Sequence, residues 1–288
     1  MKVEMMRVFH LDGHADSFLP EEKNWRLVWH DEFDGPALDE SKWGFRRDFC
    51  GEPFPAFGGK EGIGFDGASS IRLHLRRDGE RFSSPHLQTG SLTYDAPRDT
   101  DGFWPFGKSD GQPKFLHRYG FFEIRCRLPK CPGWHAAFWL QSPSVGAHPD
   151  PRRAGIECDI MENYLQHAKG EMLCGNIWGG YGKDCASSGH THFPHTETED
   201  GYHHYAVDWS PNGYVFYADG REVKRIGGPV SEVEQFILVS TEPHGYRRPG
   251  FNFNERPGHP GGTPDPLLFQ ADLPDYFEVD FVRVFDEC

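Results

Sequence analysis

Gly155-Ile156-Glu157-Cys158-Asp159-Ile160-Met161-Glu162-Asn163 sets three carboxylates within six residues of an otherwise apolar, strand-like run. Side chains alternate across a strand, so Glu157 and Asp159 share one face while Cys158 and Ile160 share the other. Strict alternation would put Met161, not Glu162, beside the first two acids. One extra residue, a β-bulge, moves Glu162 onto their face, and bulges are over-represented next to active sites. Three carboxyls facing one cleft repel, so the first proton is held more tightly and at least one pKa rises. A protonated acid beside an ionised carboxylate is the pair that glycoside hydrolysis needs. One group protonates the departing oxygen and the other attacks or stabilises the anomeric carbon. A bare ladder of acids is more often a solvated edge, so the rest of the chain has to decide.

The surroundings read as one large all-β domain. The chain has 288 residues, rich in aromatics (24 Phe, 10 Tyr, 8 Trp) and punctuated by 34 Gly and 23 Pro, which favours short strands joined by turns. Alternating runs occur at Trp25–Trp29, Ile71–Leu75, Tyr119–Leu128, Trp134–Gln141, Ile156–Met161, Gln235–Ser240 and Tyr276–Phe285. Tyr214–Ala218 and Arg221–Lys224 flank Asp219-Gly220, a strong hairpin signal because a type I′ turn needs positive φ at both central residues. Asp31-Glu32-Phe33-Asp34-Gly35 reads as a turn. Residues 1–24 are polar and are expected to form a flexible or loosely packed arm, with the catalytic domain over 25–288. Two long stretches, Asp95–Lys114 and Thr241–Asp275, carry Phe103, Trp104, Phe106, Tyr246, Phe251 and Phe253 among many Gly and Pro. Aromatic loops of this length are expected to wall a cleft.

Charge and cysteine usage narrow the partners. The net charge of −14 disfavours nucleic acid and anionic membranes and suits a neutral polymer, although Arg152-Arg153 and Arg247-Arg248 could meet a sulfate or uronate. Seven cysteines make an odd count. Cys126 with Cys131 and Cys174 with Cys185 are spaced for loop-closing pairs, but spacing alone leaves connectivity open. The first twenty residues lack the apolar run of a secretory leader, and no segment approaches the ~20 apolar residues of a membrane span. Localisation therefore stays open.

Together these segments resemble glycoside hydrolase family 16, the group of laminarinases, lichenases, agarases, porphyranases and carrageenases. The resemblance rests on WRLVWHDEFDGPALDESKW, YGFFEIRCRLP, GWHAAFWLQ, GIECDIMEN, GYHHYAVDWSPNGYVFYADGREV and YFEVDFVRVF, in that order, from Trp25 to Phe285. It implies a β-jelly-roll of two curved antiparallel sheets with a substrate cleft on the concave face. It implies a retaining mechanism in which Glu157 is the nucleophile, Asp159 assists and Glu162 is the general acid/base. Cys158 stands where the family usually has an aliphatic residue; it should face the core and leave activity intact.

The resemblance also implies an endo-acting enzyme for β-1,3- or mixed β-1,3/1,4-glucan. The alternatives are a red-algal galactan hydrolase or a transglycosylase, and, further off, a non-catalytic carbohydrate-binding sandwich. Sugar C–H faces pack on Trp rings, so Trp134, Trp139, Trp178 and Trp104 are substrate-binding candidates, with Trp139 preferred beside the scissile bond. Asn176, where laminarinases tend to carry His, and Arg247 complete the set. His190, His192 and His195 form H-x-H-x-x-H, but no added carboxylate or thiolate pattern supports zinc. Family members often hold a structural calcium; Glu32 and Asp280 match that region. No cofactor is expected to be required. The expected state is a monomer acting on polysaccharide, extracellular by resemblance and cytoplasmic if the N-terminus is native.

Overall fold

The computed structural model describes residues 6–49, 52–90, 113–164, 171–180, 184–194, 197–246 and 262–288. Trp104, Arg247, Phe103, Phe106, Phe251, Phe253 and His195 lie outside them.

Two sheets carry the fold. Among the described residues one sheet of ten strands has Arg81–Gln88, Phe236–Pro243, Trp134–Gln141, the acidic strand Glu157–Tyr164 and Glu171–Trp178 as successive neighbours. A second, of eight, runs Arg221–Ile226, Gly213–Ala218, His203–Ser210, Gly120–Arg127, Tyr276–Glu287 and Ile71–His74. Pairing is antiparallel throughout except for a two-residue parallel contact of Phe57–Gly58 with Ser84–Pro85. The last strand is the seam. It pairs with Gly120–Arg127 on one side, and with both Ile71–His74 and Trp25–Asp31 on the other, which joins the two ends of the chain.

The alternating patterns explain why the sheets stack. Phe138, Leu140, Cys158, Ile160, Ile237 and Val239 from the first sheet meet Phe122, Ile124, Val207, Phe216, Val282 and Val284 from the second in one buried cluster. Each large apolar side chain so buried is worth about 1.5–3 kcal/mol over exposure, which makes this interlayer the main source of stability. Asp219 and Gly220 both have positive φ, at 47° and 71°, as their hairpin requires. Asp31 closes the early turn by accepting from Phe33 N and from the indole of fully buried Trp43 at 2.7 Å.

Residues 6–20 depart from the expected loose arm. Met6–Phe9 and Ser17–Pro20 pair as a hairpin, and Leu19 packs with Phe121, Val215, Tyr217 and Phe285 on the outer face of the second sheet. That face carries apolar residues at alternate positions, which would otherwise meet water. Beneath the hairpin, fully buried Arg283 holds both oxygens of Glu32 at 2.9 and 2.7 Å and also donates to Ala15 O and Ser17 Oγ.

The Thr241–Asp275 stretch is also more ordered at its ends than its composition suggested. Its first three residues extend a strand to Pro243, and Pro266–Gln270 form a 3-10 helix with a Pro at its start and Asp265 as its cap. Tyr246, one of the expected cleft aromatics, is instead buried in a satellite core with Phe82 and Leu268. The described cysteines Cys126, Cys131, Cys158, Cys174, Cys185 and Cys288 are all free, so neither suggested disulfide pair forms.

Candidate active site

The acidic strand contains the expected bulge. Trp139 lies opposite Asp159 and Phe138 opposite Met161, so the pairing skips Ile160. On the other side, the register against Glu171–Trp178 shifts between Asp159 and Glu162. Cys158, Ile160 and Met161 all enter the interlayer core as a result. Glu157, Asp159 and Glu162 share the opposite face with Gln141, Trp139 and Ala137, their cross-strand partners. All three acids are deeply set, at 9%, 4% and 7% exposure.

Each acid has its own surroundings. Gln141 donates its side-chain amide to Glu157 Oε2 at 3.0 Å. Tyr164 donates to Glu162 Oε1 at 2.9 Å, His135 Nε2 lies 3.3 Å from the same oxygen, and His190 Nε2 lies 3.7 Å from Oε2. Around Asp159 stand its two acidic neighbours, with Lys224 acting in the opposite sense. Burial, then Glu162 and Glu157, push its carboxyl well above the ordinary 3.8. For Glu162 burial acts upward too, but the hydrogen bonds and charge of His135, Tyr164 and His190 outweigh it and hold the group low. Of the three acids, Asp159 is thus the one most disposed to hold a proton.

His135 and Tyr164 were legible in principle. His135 has the strand parity of Trp139, and Tyr164 stands two residues beyond Glu162, so both face the acids. His190 arrives differently. Gly175 sits opposite Asp159, where a Cβ would meet Gly189 O at 2.9 Å and His190 Cδ2 at 3.4 Å. The glycine lets the following segment lie against the strand and brings His190 to Glu162.

Among the proposed sugar platforms, Trp139 faces the acids, with its indole donating to Ser240 Oγ at 2.9 Å and the Arg46 guanidinium 5.9 Å from its ring. Trp134 does not. Its opposite parity buries it completely against Phe54, Phe57, Phe82 and Leu268. Asn176 and Trp178 also lie on the core side, because Leu173, Gly175 and Ile177 are the residues paired with the acids. Asn176 is 1% exposed, and its side-chain amide has no hydrogen-bond partner among the described residues. Trp178 packs against the interlayer core.

Glu32 and Asp280 do not fit a calcium site. Arg283 takes both oxygens of Glu32, and Arg125 donates to Asp280 Oδ2 at 2.6 Å. A dication there would displace or face a guanidinium. Donor atoms of Asp159, Glu162 and His190 lie within 4.8 Å of one another. Two of these are the carboxyls that the bulge sets on one face, so the spacing follows from the acidic row itself.

The profile of Glycosyl hydrolases family 16 matches residues 80–239, more than half of the chain. The chain belongs to that family. This family 16 protein is 27% identical over 290 residues to glucan endo-1,3-beta-glucosidase A1 of Niallia circulans, covering 91% of this chain but 38% of that protein. It is 28% identical over 205 residues to glucan endo-1,3-beta-glucosidase of Cryptopygus antarcticus, covering 68% of this chain and 67% of the relative. The chain thus spans well under half the length of the first of these. The structure superposes on the laminarinase of Flavobacterium sp. UMI-01 with a TM-score of 0.65 at 18% identity, over 91% of this chain and all of the other.

Proposed function

We propose that this family 16 protein is an endo-acting, retaining hydrolase of β-linked glucan, with β-1,3- or mixed β-1,3/1,4-linkages as its substrate class. The observation that carries the reading is the bulge at Ile160, which gathers Glu157, Asp159 and Glu162 on one face beside Trp139. The glucan assignment draws its support from the relatives, both of which bear the name of a glucan endo-1,3-beta-glucosidase.

In this reading Glu157, held by Gln141, attacks the anomeric carbon while Glu162 gives a proton to the departing oxygen. The bond to the leaving sugar breaks as the Glu157 ester forms. Glu162, now ionised, removes a proton from water, which attacks the same carbon and frees Glu157. Asp159 supplies the proton shared with Glu162 and, while protonated, spares the site a third negative charge. Trp139 offers its ring to the sugar at the scissile bond.

Release of reducing ends from laminarin and lichenan, with agarose, porphyran and carrageenan unaffected, tests the substrate class; the reverse pattern would assign a galactan hydrolase. Glu157→Gln should lower turnover at least a thousandfold with folding intact, and residual activity within tenfold of wild type would remove Glu157 from its role. Proton NMR of early hydrolysis tests the stereochemistry. A first product of inverted configuration would refute the double displacement.

A further inference from the structure

Glu162 has two oxygens in unequal surroundings. Oε1 faces two polar groups, the Tyr164 hydroxyl at 2.9 Å and His135 Nε2 at 3.3 Å. Oε2 has His190 Nε2 at 3.7 Å, beyond a direct hydrogen bond. The groups at Oε1 are themselves fixed. His135 and Tyr164 are cross-strand neighbours, and their rings stack with centroids 4.0 Å apart and planes 12° from parallel. His244 stands behind the stack, 6.1 and 5.9 Å from the two rings. A ring pair braced in this way cannot follow the carboxyl if it rotates, so it selects one orientation.

Resting on the reading of Glu162 as acid/base, we propose that His135 and Tyr164 are positioning residues that clamp Glu162 Oε1 and reserve Oε2 for delivering the proton to the leaving group. A proton on Oε1 would compete with the hydroxyl that Tyr164 already donates to that oxygen, whereas one on Oε2 leaves that hydrogen bond in place. The site's other charged and titratable groups fit this division. Asp159 and Glu157 lie further along the same strand, His190 approaches from the segment after Gly175, Lys224 lies beyond Asp159, and Glu242 is the residue opposite His135 on its other side.

The test compares Tyr164→Phe, which keeps the stacked ring and loses the hydroxyl, with His135→Leu and with His135→Gln, which retains an N–H donor. Each is assayed on laminarin and on a dinitrophenyl β-glucoside oligomer, whose leaving group needs no proton. Tyr164→Phe and His135→Leu should lower kcat on laminarin tenfold or more with KM within twofold, and on the activated substrate threefold or less. Tyr164→Phe removes the hydrogen bond to Oε1 and His135→Leu removes the imidazole 3.3 Å from it, both of which favour the ionised carboxyl, so the basic limb of the kcat/KM profile should move to higher pH. His135→Gln should recover most of the laminarin rate. Thermal melts establish that each variant is folded; if His135→Leu is not, the other two carry the comparison. Equal losses on both substrates, or an unmoved basic limb, would overturn the clamp. Glu162→Gln separates the two levels: full laminarin activity in that variant would overturn the acid assignment itself, while its inactivity beside an unaltered Tyr164→Phe would overturn the clamp alone.

Discussion

Asp159→Asn should stabilise this protein while disabling it. Asp159 is buried between two other carboxyls, and its donor oxygen lies within 4.8 Å of that of Glu162. At that distance two unit charges repel by roughly 3 kcal/mol with an effective dielectric of about 20. Holding a proton avoids part of this, so the net cost at neutral pH is smaller, about 1–3 kcal/mol. The sign with pH follows from burial and the neighbouring acids raising the folded carboxyl above 3.8. Above pH 3.8 the unfolded chain releases this proton while the folded protein keeps it, so the wild type loses stability as pH climbs towards the folded value. Asparagine binds no proton and lacks that slope. Removing Asp159 also frees Glu162 of a repulsive neighbour, which acts in the same direction. Scanning calorimetry should therefore show the two proteins melting together near pH 3.8 and diverging above it, with the variant higher by roughly 2–12 °C at neutral pH, taking about 2–4 °C per kcal/mol. Turnover on laminarin should fall by about a hundredfold or more, since the shared proton is gone. A melting difference that is negative, or that does not change with pH, would refute the account of Asp159 as a strained proton holder.

Two further outcomes separate cleft from core. Trp139→Ala should raise KM for long glucan with a modest loss of stability, whereas Trp134→Ala should cost about 3–5 kcal/mol through its cavity and leave the KM of the folded fraction unchanged; steady-state kinetics with thermal melts distinguishes them, and a KM effect at Trp134 would contradict its assignment to the core. Arg283→Met leaves the Glu32 carboxylate buried without its guanidinium and should cost about 3–5 kcal/mol, read by urea denaturation, with Glu32→Gln added to the same chain recovering part of the loss.

The acids and their bulge were legible because one constraint dominates a two-sided strand. Cys158, Ile160 and Met161 must enter the core, and a single skipped residue is the only way to seat all three and keep Glu162 with Glu157. Trp134–Gln141 and the Asp219-Gly220 hairpin were equally plain, since period-two alternation and a turn needing positive φ leave few readings. Parity on Glu171–Trp178 was not readable in the same way. That run has a glycine among its cleft-facing positions and an amide among its core-facing ones, so Asn176 and Trp178 were assigned to the wrong side. The hairpin at residues 6–20 was missed for a related reason. Its strands are only four residues each, too short to show a period, and its stability comes from covering Phe121, Val215 and Phe285, which no local pattern reveals.

The same division accounts for the site's proton. From sequence, three crowded acids require one raised pKa but do not say whose. Deciding it takes neighbours from other strands: His135 and Tyr164 lower Glu162, while Gly175 places opposite Asp159 a residue with no side chain to offer. The asymmetry is therefore built by positions flanking the acids, and it leaves the most strained carboxyl in the middle of the row. Removing the hydroxyl of Tyr164 releases Glu162 Oε1 from its hydrogen bond and should slow turnover on substrates whose leaving group must be protonated, because the carboxyl is no longer held in one orientation.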